Sequence, residues 1–299
     1  MWFKNLKIYR FTSDFKFDEA QLQNQLESMS FKTCSSQEIQ SMGWVSPIPK
    51  SENLFHQANN AFMFSLKREQ KLLPASVINE ELALKVGELE AESGSPIPKK
   101  AQKDLKEEIT MRLLPRAFSK FSVVQGYVSI DQQIVVVDAS SDTNAEVFLA
   151  CLRKCIGSLP VVPLAKTPQQ EVLTSWLMQD APDDFEILDE AEFQSSADDG
   201  GIIRCKKQDL DAEEVLGHIQ AGKLVHKLAV SFQERLSCII AEDLSIKRLK
   251  FTDLVMEENQ DIDKDNLAAK LDADFVLFTS EVKGLVNALK DAFALSEDD

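Results

Sequence analysis

The sequence predicts an α+β fold: mixed and antiparallel sheets with packed helices and a projecting helical hairpin. Three observations lead there. Strand-type segments come in groups rather than in strict β–α alternation, which favours antiparallel sheets over a doubly wound parallel one. Two charged helical segments, "SVINEELALKVGELEAE" (76–92) and "KKAQKDLKEEITMRLL" (99–114), are separated only by a short break rich in Ser and Pro. The chain has 299 residues, 44% hydrophobic and 27% charged, which is globular composition and enough length for one large domain or two smaller ones.

Taken in order, residues 5–12 read as a strand and "DEAQLQNQLESM" (18–29) as an amphipathic helix. Ser35 and Glu38 have capping-box spacing for a short helix ending at Gly43. "NAFMFSL" (60–66) reads as a strand. Gly94, Pro96 and Pro98 then stop one charged helix and start the other. After Pro115 come strands over 121–130 and 132–139. Thr143 and Glu146 cap a helix that ends before Gly157, and "SLPVVPL" (158–164) is a strand with prolines at its edges. A helix near 167–179 leads into an acidic stretch to 199. "GGIIRCKKQDL" (200–210) is a strand running into a turn, and Asp211 and Glu214 cap a helix stopping at Gly222. Three strands follow as a meander, 223–232, 235–241 and 245–251. Helical patterns over 264–271 and 280–294 close the chain. This divides it into an N-terminal α+β region, 1–165, with the hairpin at about 76–117, and a C-terminal α+β region, 166–299, with the basic meander.

The totals exclude several classes. There is no run of 18 apolar residues, hence no membrane span. "MWFKNLKIYRFTSDFKF" lacks the apolar core of a signal peptide, so a cytoplasmic protein is expected. Five irregularly spaced cysteines fit a reducing compartment better than a disulfide framework. Cys151 and Cys155, one helical turn apart, read as small buried apolar residues.

Motifs that imitate sites mostly fail. "GHIQAGKL" (217–224) has Leu224 where a phosphate loop needs Ser or Thr. It also follows a helix and precedes a strand, the reverse of a phosphate loop, so Gly222 reads as a helix C-cap. "DIDKDNLAAKLD" (261–272) imitates a calcium loop through Asp261, Asp263, Asp265 and Asp272, but Asn266 takes the place of the turn glycine, and acids are favoured at a helix start anyway. There is no G-x-S-x-G, and His56, His218 and His226 have no metal-type pairing. His226 falls on the apolar side of its strand, as a core histidine would. No cofactor and no metal is expected, and nothing makes a case for an enzyme.

The net charge of −16 argues against a polyanionic partner, but the charge is segregated. Lys+Arg against Asp+Glu runs 17 to 19 over 1–150, 3 to 10 over 151–200, 9 to 7 over 201–250 and 4 to 13 over 251–299. One basic island therefore lies in an acidic half. Period-two alternation puts Leu224, Leu228, Val230 and Phe232 on one face of their strand, and Lys223 and Lys227 on the other, about 13 Å apart. Arg235, Lys247, Arg248 and Lys250 come from the next strands. Lys206, Lys207 and Gln208 precede a helix N-terminus, a place suited to an anion. The acids of the region fall mainly in that helix and at a hairpin turn (Glu242, Asp243). A phosphate-binding surface and a merely solvated sheet face both fit. "LLPRAFSKFS" (113–122) adds Arg116, Phe118 and Lys120, cations for phosphate with a ring for bases or for another protein surface.

"MWFKNLKIYR", "LLPRAFSKFS", "LRKCIGSLPVVPL", "DGGIIRCKKQDL", "IQAGK" and "SIKRLKF" together resemble the bacterial RdgC family, in order and from the first residue to about residue 290. The resemblance implies a non-enzymatic, sequence-independent DNA-binding protein of the nucleoid, acting on double- and single-stranded DNA. It implies a ring-shaped homodimer with a basic hole wide enough for duplex DNA, which restrains RecA-dependent recombination by occupying the DNA. The hairpin corresponds to a finger that helps close the ring, with Phe118 as a closure contact or a DNA surface. Arg116, Lys120, Lys206, Lys207, Gln208, Lys223, Lys227, Arg248 and Lys250 are the expected DNA contacts. Two other classes remain: an acidic protein–protein regulator without DNA contact, and a metal-dependent nuclease using Asp261–Asp272.

Overall fold

Strand β1 (Leu6–Phe11) alternates its apolar residues and is buried along nearly its whole length. Such burial requires partners on both edges, and it has them. Along one edge runs β6 (Ile134–Asp138), antiparallel, with Lys7 opposite Val137 and Tyr9 opposite Val135. The other edge is shared by β12 (Ile246–Phe251), through Leu6 opposite Ile246, and β7 (Val161–Pro163). The computed structural model describes residues 2–195, 200–259 and 266–295. Among these the fold is α+β, with eight α-helices and a large antiparallel sheet.

The chain forms two compact units, one of Met1–Leu26, Ser46–Ser65 and Val124–Asp299, the other of Glu27–Val45 and Leu66–Val123. No boundary falls at 165/166, because β1 from the N-terminal region pairs directly with β12 of the meander.

In the larger unit the strands run β5-β6-β1-β12-β11-β10-β8-β9. Here β5 is Phe118–Ser129, β8 Phe185–Ser195, β9 Ile202–Lys206, β10 Lys223–Phe232 and β11 Leu236–Ala241. The meander β10–β12 lies where expected. Strand β8 is a correction: it occupies the acidic stretch, where Phe185, Ile187, Ala191 and Phe193 share one face but Leu188 and Asp189 break the period. One side of the sheet is covered by α8 (Leu267–Ala292), which buries Phe275, Phe278, Val282, Leu285, Val286 and Leu289. The two helical patterns expected here are one helix of 26 residues. Phe275 and Phe278 in the intervening segment pack into the core, and the Thr279 hydroxyl donates to the Phe275 carbonyl at 2.9 Å, so the turn continues without a break. Helix α5 (Gln170–Met178) packs on β10, where the Val225 N–H donates to Thr174 Oγ1 at 2.9 Å.

Two further caps differ from expectation. Helix α4 (Asp142–Ile156) is capped by Ser141, which accepts from the Asn144 N–H, rather than by Thr143. Helix α6 (Glu213–Gln220) starts after Ala212; Asp211 makes no cap, and Glu214 accepts from the Gln208 amide instead. Gly222 has φ 83° and donates its N–H to Ile219, the helix end expected of it. All five cysteines are free thiols. Among the described residues no helix is long and apolar enough to cross a membrane.

The smaller unit holds the helical hairpin, α2 (Ala75–Ser93) and α3 (Lys99–Leu113). Gly94 ends α2 in the left-handed region and Pro98 precedes α3, as the break predicts. The Ile97 N–H is taken by the Glu90 carboxylate at 2.9 Å, and Lys106 reaches across to Asn79 at 2.9 Å. Beside the hairpin lie β2 (Gln40–Val45) and the ends of β4 (Ala61–Leu72) and β5. The short helix expected after Ser35 is absent. The Ser35 N–H does bond Glu38, at 2.7 Å, but it closes a turn, and Gly43 lies within β2. A Cβ on Gly43 would sit 2.5 Å from the Phe31 nitrogen, so glycine there permits close backbone approach rather than stopping a helix.

Candidate nucleic-acid interface

Directly paired residues in a sheet share a face, so register decides which charges meet. Glu192 on β8 pairs with Arg204 on β9 and, on its other side, with Lys227 on β10. Glu190 pairs with Lys206. Across β11, the pairs Lys227–Ala241, Ala229–Ile239 and Ile239–Lys247 bring Lys247 to the same face. Arg248 joins them because the ladder is irregular between Ser237 and Ile239, and Arg248 itself has φ 53°. On a regular strand Lys247 and Arg248 would point to opposite faces; the bulge lets both line one cleft.

That cleft has a volume of about 300 Å³, with Ile239 and Asn5 also in its wall. Five cations line it: Arg204, Lys206, Lys227, Lys247 and Arg248. Two carboxylates hold four of them. Glu192 takes Lys227 Nζ at 2.6 Å on one oxygen and Arg204 Nε at 2.7 Å on the other. Glu190 takes Arg248 at 2.6 Å and Lys206 at 3.5 Å. The hydrogen bond from Arg248 holds Glu190 below the usual carboxylate range. Burial pushes Glu192 up, but the bonds from Lys227 and Arg204 outweigh it and leave this group low as well. Both therefore stay ionised at neutral pH. The acids nearest the island are thus on β8, not only in α6 and the hairpin turn.

The expected residues divide into groups. Lys206, Lys227 and Arg248 come together in the cleft. Lys250 lies on the same face, opposite Ser237, and is exposed. Lys223 does not share that face. The ladder slips between Val225 and Lys227, so Lys223 (opposite Ser195) and Val225 (opposite Phe193) share one face and Lys227 the other. His226 sits at the slip, half-buried, with Nδ1 2.9 Å from Glu242, not in the core. Lys207 and Gln208, past the end of β9, border a separate hollow of about 620 Å³ whose rim carries Asp180, Asp189, Asp209 and Asp211. Arg235 turns away and is held by Glu281 at 2.6 Å and Glu258 at 2.7 Å. Sequence reasoning missed Arg204 as a site residue, although it shares period-two phase with Lys206.

In the smaller unit, Arg116 ends the 3₁₀ turn Leu114–Arg116, and Phe118 and Lys120 open β5. Phe118 is 84% exposed, so this ring finds no core within its own chain. Phe121, on the opposite side of β5, lies under Lys67, whose Nζ is 4.9 Å from its centroid and 4.7 Å from that of Phe31. Ser119 is tied to the buried Glu69 at 2.6 Å, which fixes the strand and its alternation.

Asp261, Asp263 and Asp265 lie outside the described residues. Of the calcium-like segment, Asn266 caps α8 by accepting from Ala269, and Asp272 lies 2.9 Å from His56. Among the described residues no group of three or more His, Cys, Asp or Glu is placed to hold a metal ion.

A basic cleft on an acidic α+β chain defines a candidate polyanion-binding protein, and comparison with known proteins narrows the class. The family described as "Putative exonuclease, RdgC" matches residues 1–296. The chain is 50% identical over 299 residues to the recombination-associated protein RdgC of Pseudoalteromonas atlantica, covering 100% of this chain and 99% of the relative. It is 45% identical over 296 residues to the protein of that name from Psychromonas ingrahamii, covering 98% of each. To that of Shewanella halifaxensis it is 44% identical over 301 residues, covering 100% and 99%. The chain belongs to the RdgC family, as its sequence motifs indicate.

Proposed function

We propose that this chain is a sequence-independent DNA-binding protein of the nucleoid that acts in recombination, as a ring-shaped dimer around duplex DNA, and restrains RecA by occupying its substrate. The observation that carries this reading is the convergence of five cations on one cleft of a chain with net charge −16. The cations come from three strands of the sheet and four of them are already held by carboxylate oxygens, an arrangement that suits the repeated anionic oxygens of a phosphate backbone. The relatives' name, recombination-associated protein, agrees with DNA as the partner. Lys250, on the face of the cleft, is a further backbone contact in this reading, and Lys207, Gln208, Lys223, Arg116 and Lys120 are contacts made outside the cleft. Phe118, exposed at the start of β5, is the closure contact between subunits.

The test is a gel shift with plain plasmid DNA in EDTA, repeated with magnesium and with calcium. Binding without cleavage supports the proposal. No binding supports the alternative, an acidic protein–protein regulator without DNA contact. Metal-dependent cleavage overturns a purely binding role, and loss of the same plasmid only after it is linearised, which gives an exonuclease its ends, supports the activity in the family's description.

A further inference from the structure

We infer that Glu190 and Glu192 stand in for backbone phosphates: they hold four cations in place and are displaced when DNA enters, which sets how tightly the chain binds. This inference rests on the nucleic-acid reading above and names the regulation of that same cleft.

The geometry carries it. Each carboxylate bridges two cations from different strands, Arg204 and Lys227 on Glu192, Lys206 and Arg248 on Glu190. A carboxylate offers oxygens to guanidinium and ammonium groups much as a phosphate does, so the cations are oriented for phosphate before any arrives. The two glutamates lie two residues apart on one strand face, about 6.7 Å.

Three of the four pairs contribute little to the fold, the Lys227–Glu192 pair being the more sheltered one. Arg204 and Arg248 are more than half exposed, and ion pairs with such partners are worth little in water. Neither glutamate faces the core. Lys247 has no ion-pair partner among the described residues, which leaves one cation free to meet a polyanion first. As phosphates then replace the carboxylates, each cation exchanges one anion for another and is never left unpaired. The cleft acts with five cations less two carboxylates, a smaller excess than its cations alone would give. A binder without sequence preference benefits from that restraint, because a weaker hold lets it move along DNA and release.

The test uses the full-length chain, a short plain duplex in EDTA, and a series of salt concentrations. Glu190→Gln/Glu192→Gln keeps size and a hydrogen-bonding oxygen but removes both charges. Affinity should rise about tenfold, since each lost charge repelled a nearby phosphate. The salt dependence should steepen, by roughly 0.9 for each additional phosphate neutralised. Dissociation should slow. If the glutamates only brace the cations, binding will weaken or stay unchanged while the melting temperature holds, and the inference is overturned. Should the double variant not fold, Glu190→Gln alone, with its looser contact to Lys206, decides in the same way by a rise of about threefold. A parent chain that fails to bind the duplex overturns the nucleic-acid reading itself. A parent that binds beside a variant that binds no tighter overturns only the role of the glutamates.

Discussion

The ammonium of Lys7 lies 2.6 Å from the carboxylate of Asp243, although the two residues are 236 positions apart. It is also 2.6 Å from Asp142, in the first turn of α4. Lys7 is 7% exposed, so this one side chain ties β1 to the β11–β12 turn and to a helix start.

Burial alone would lower the Lys7 pKa, but its hydrogen bonds to Asp142 and Asp243 outweigh it and leave it raised. Its contribution to stability is then full below the ordinary lysine value of about 10.4 and is lost as pH climbs through the raised one. Burial pushes Asp243 up, while bonds from Lys7 and Ser245 bring it below the usual range. Its contribution is present above about pH 3.9 and is lost as pH falls further. Lys7→Met should cost about 1.5–3 kcal/mol at neutral pH. The gap to the parent should narrow at both pH extremes. Denaturant melts at acidic, neutral and alkaline pH measure it, and a gap independent of pH would assign Lys7 to packing alone.

Lys247 tests the cleft most directly, because removing it frees no carboxylate. Lys247→Ala should reduce the slope of log affinity against log salt by about 0.9 per chain, and twice that in a dimer that uses both copies. Anisotropy titrations on duplex DNA read this out. An unchanged slope would place the contact surface elsewhere.

How much of this was legible varies by residue, and the reasons are physical. The hairpin was legible because Gly94 and Pro98 act through local backbone preferences. The meander was legible because its strands alternate. Strand β8 was not, since Leu188 and Asp189 interrupt the alternation of Phe185 and Ile187 with Ala191 and Phe193 where the β8–β10 ladder is irregular, and the charges of Glu190 and Glu192 are answered by residues on other strands. Period-two counting puts Lys223 on the face of Lys227 because it assumes an unbroken ladder, and the slip after Val225 leaves no mark in composition. Gly43 looked like a helix stop because the close approach of Phe31 that requires it is a tertiary contact.

That contact gives a prediction of its own. An added methyl at Gly43 meets the Phe31 nitrogen and Cα at 2.5 and 2.6 Å, both backbone atoms that cannot swing aside. Gly43→Ala should destabilise the smaller unit by about 1–3 kcal/mol. Hydrogen exchange should show faster opening of β2 while α8 in the larger unit keeps its protection. Equal protection in β2 would mean the backbone absorbs the methyl.

Phe118 is the sharpest test of the proposed ring. At 84% exposure it contributes almost nothing to the fold of its own chain, so Phe118→Ser should change the unfolding free energy by no more than about 0.5 kcal/mol. If the ring packs against a second copy, the substitution should weaken that contact by about 1.5–3 kcal/mol for the lost burial. The parent should run near twice the 33.6 kDa chain mass in light scattering. The variant should open at one contact, so retention on circular duplex should fall more than initial binding. If Phe118 instead stacks on bases, single-strand binding should drop more than duplex binding, because duplex bases are already stacked. Arg116→Ala is the control, since a lost phosphate contact lowers the salt slope and a lost ring does not. A variant that matches the parent in mass, circular retention and single-strand binding would leave Phe118 as an exposed ring with no part in assembly or DNA binding.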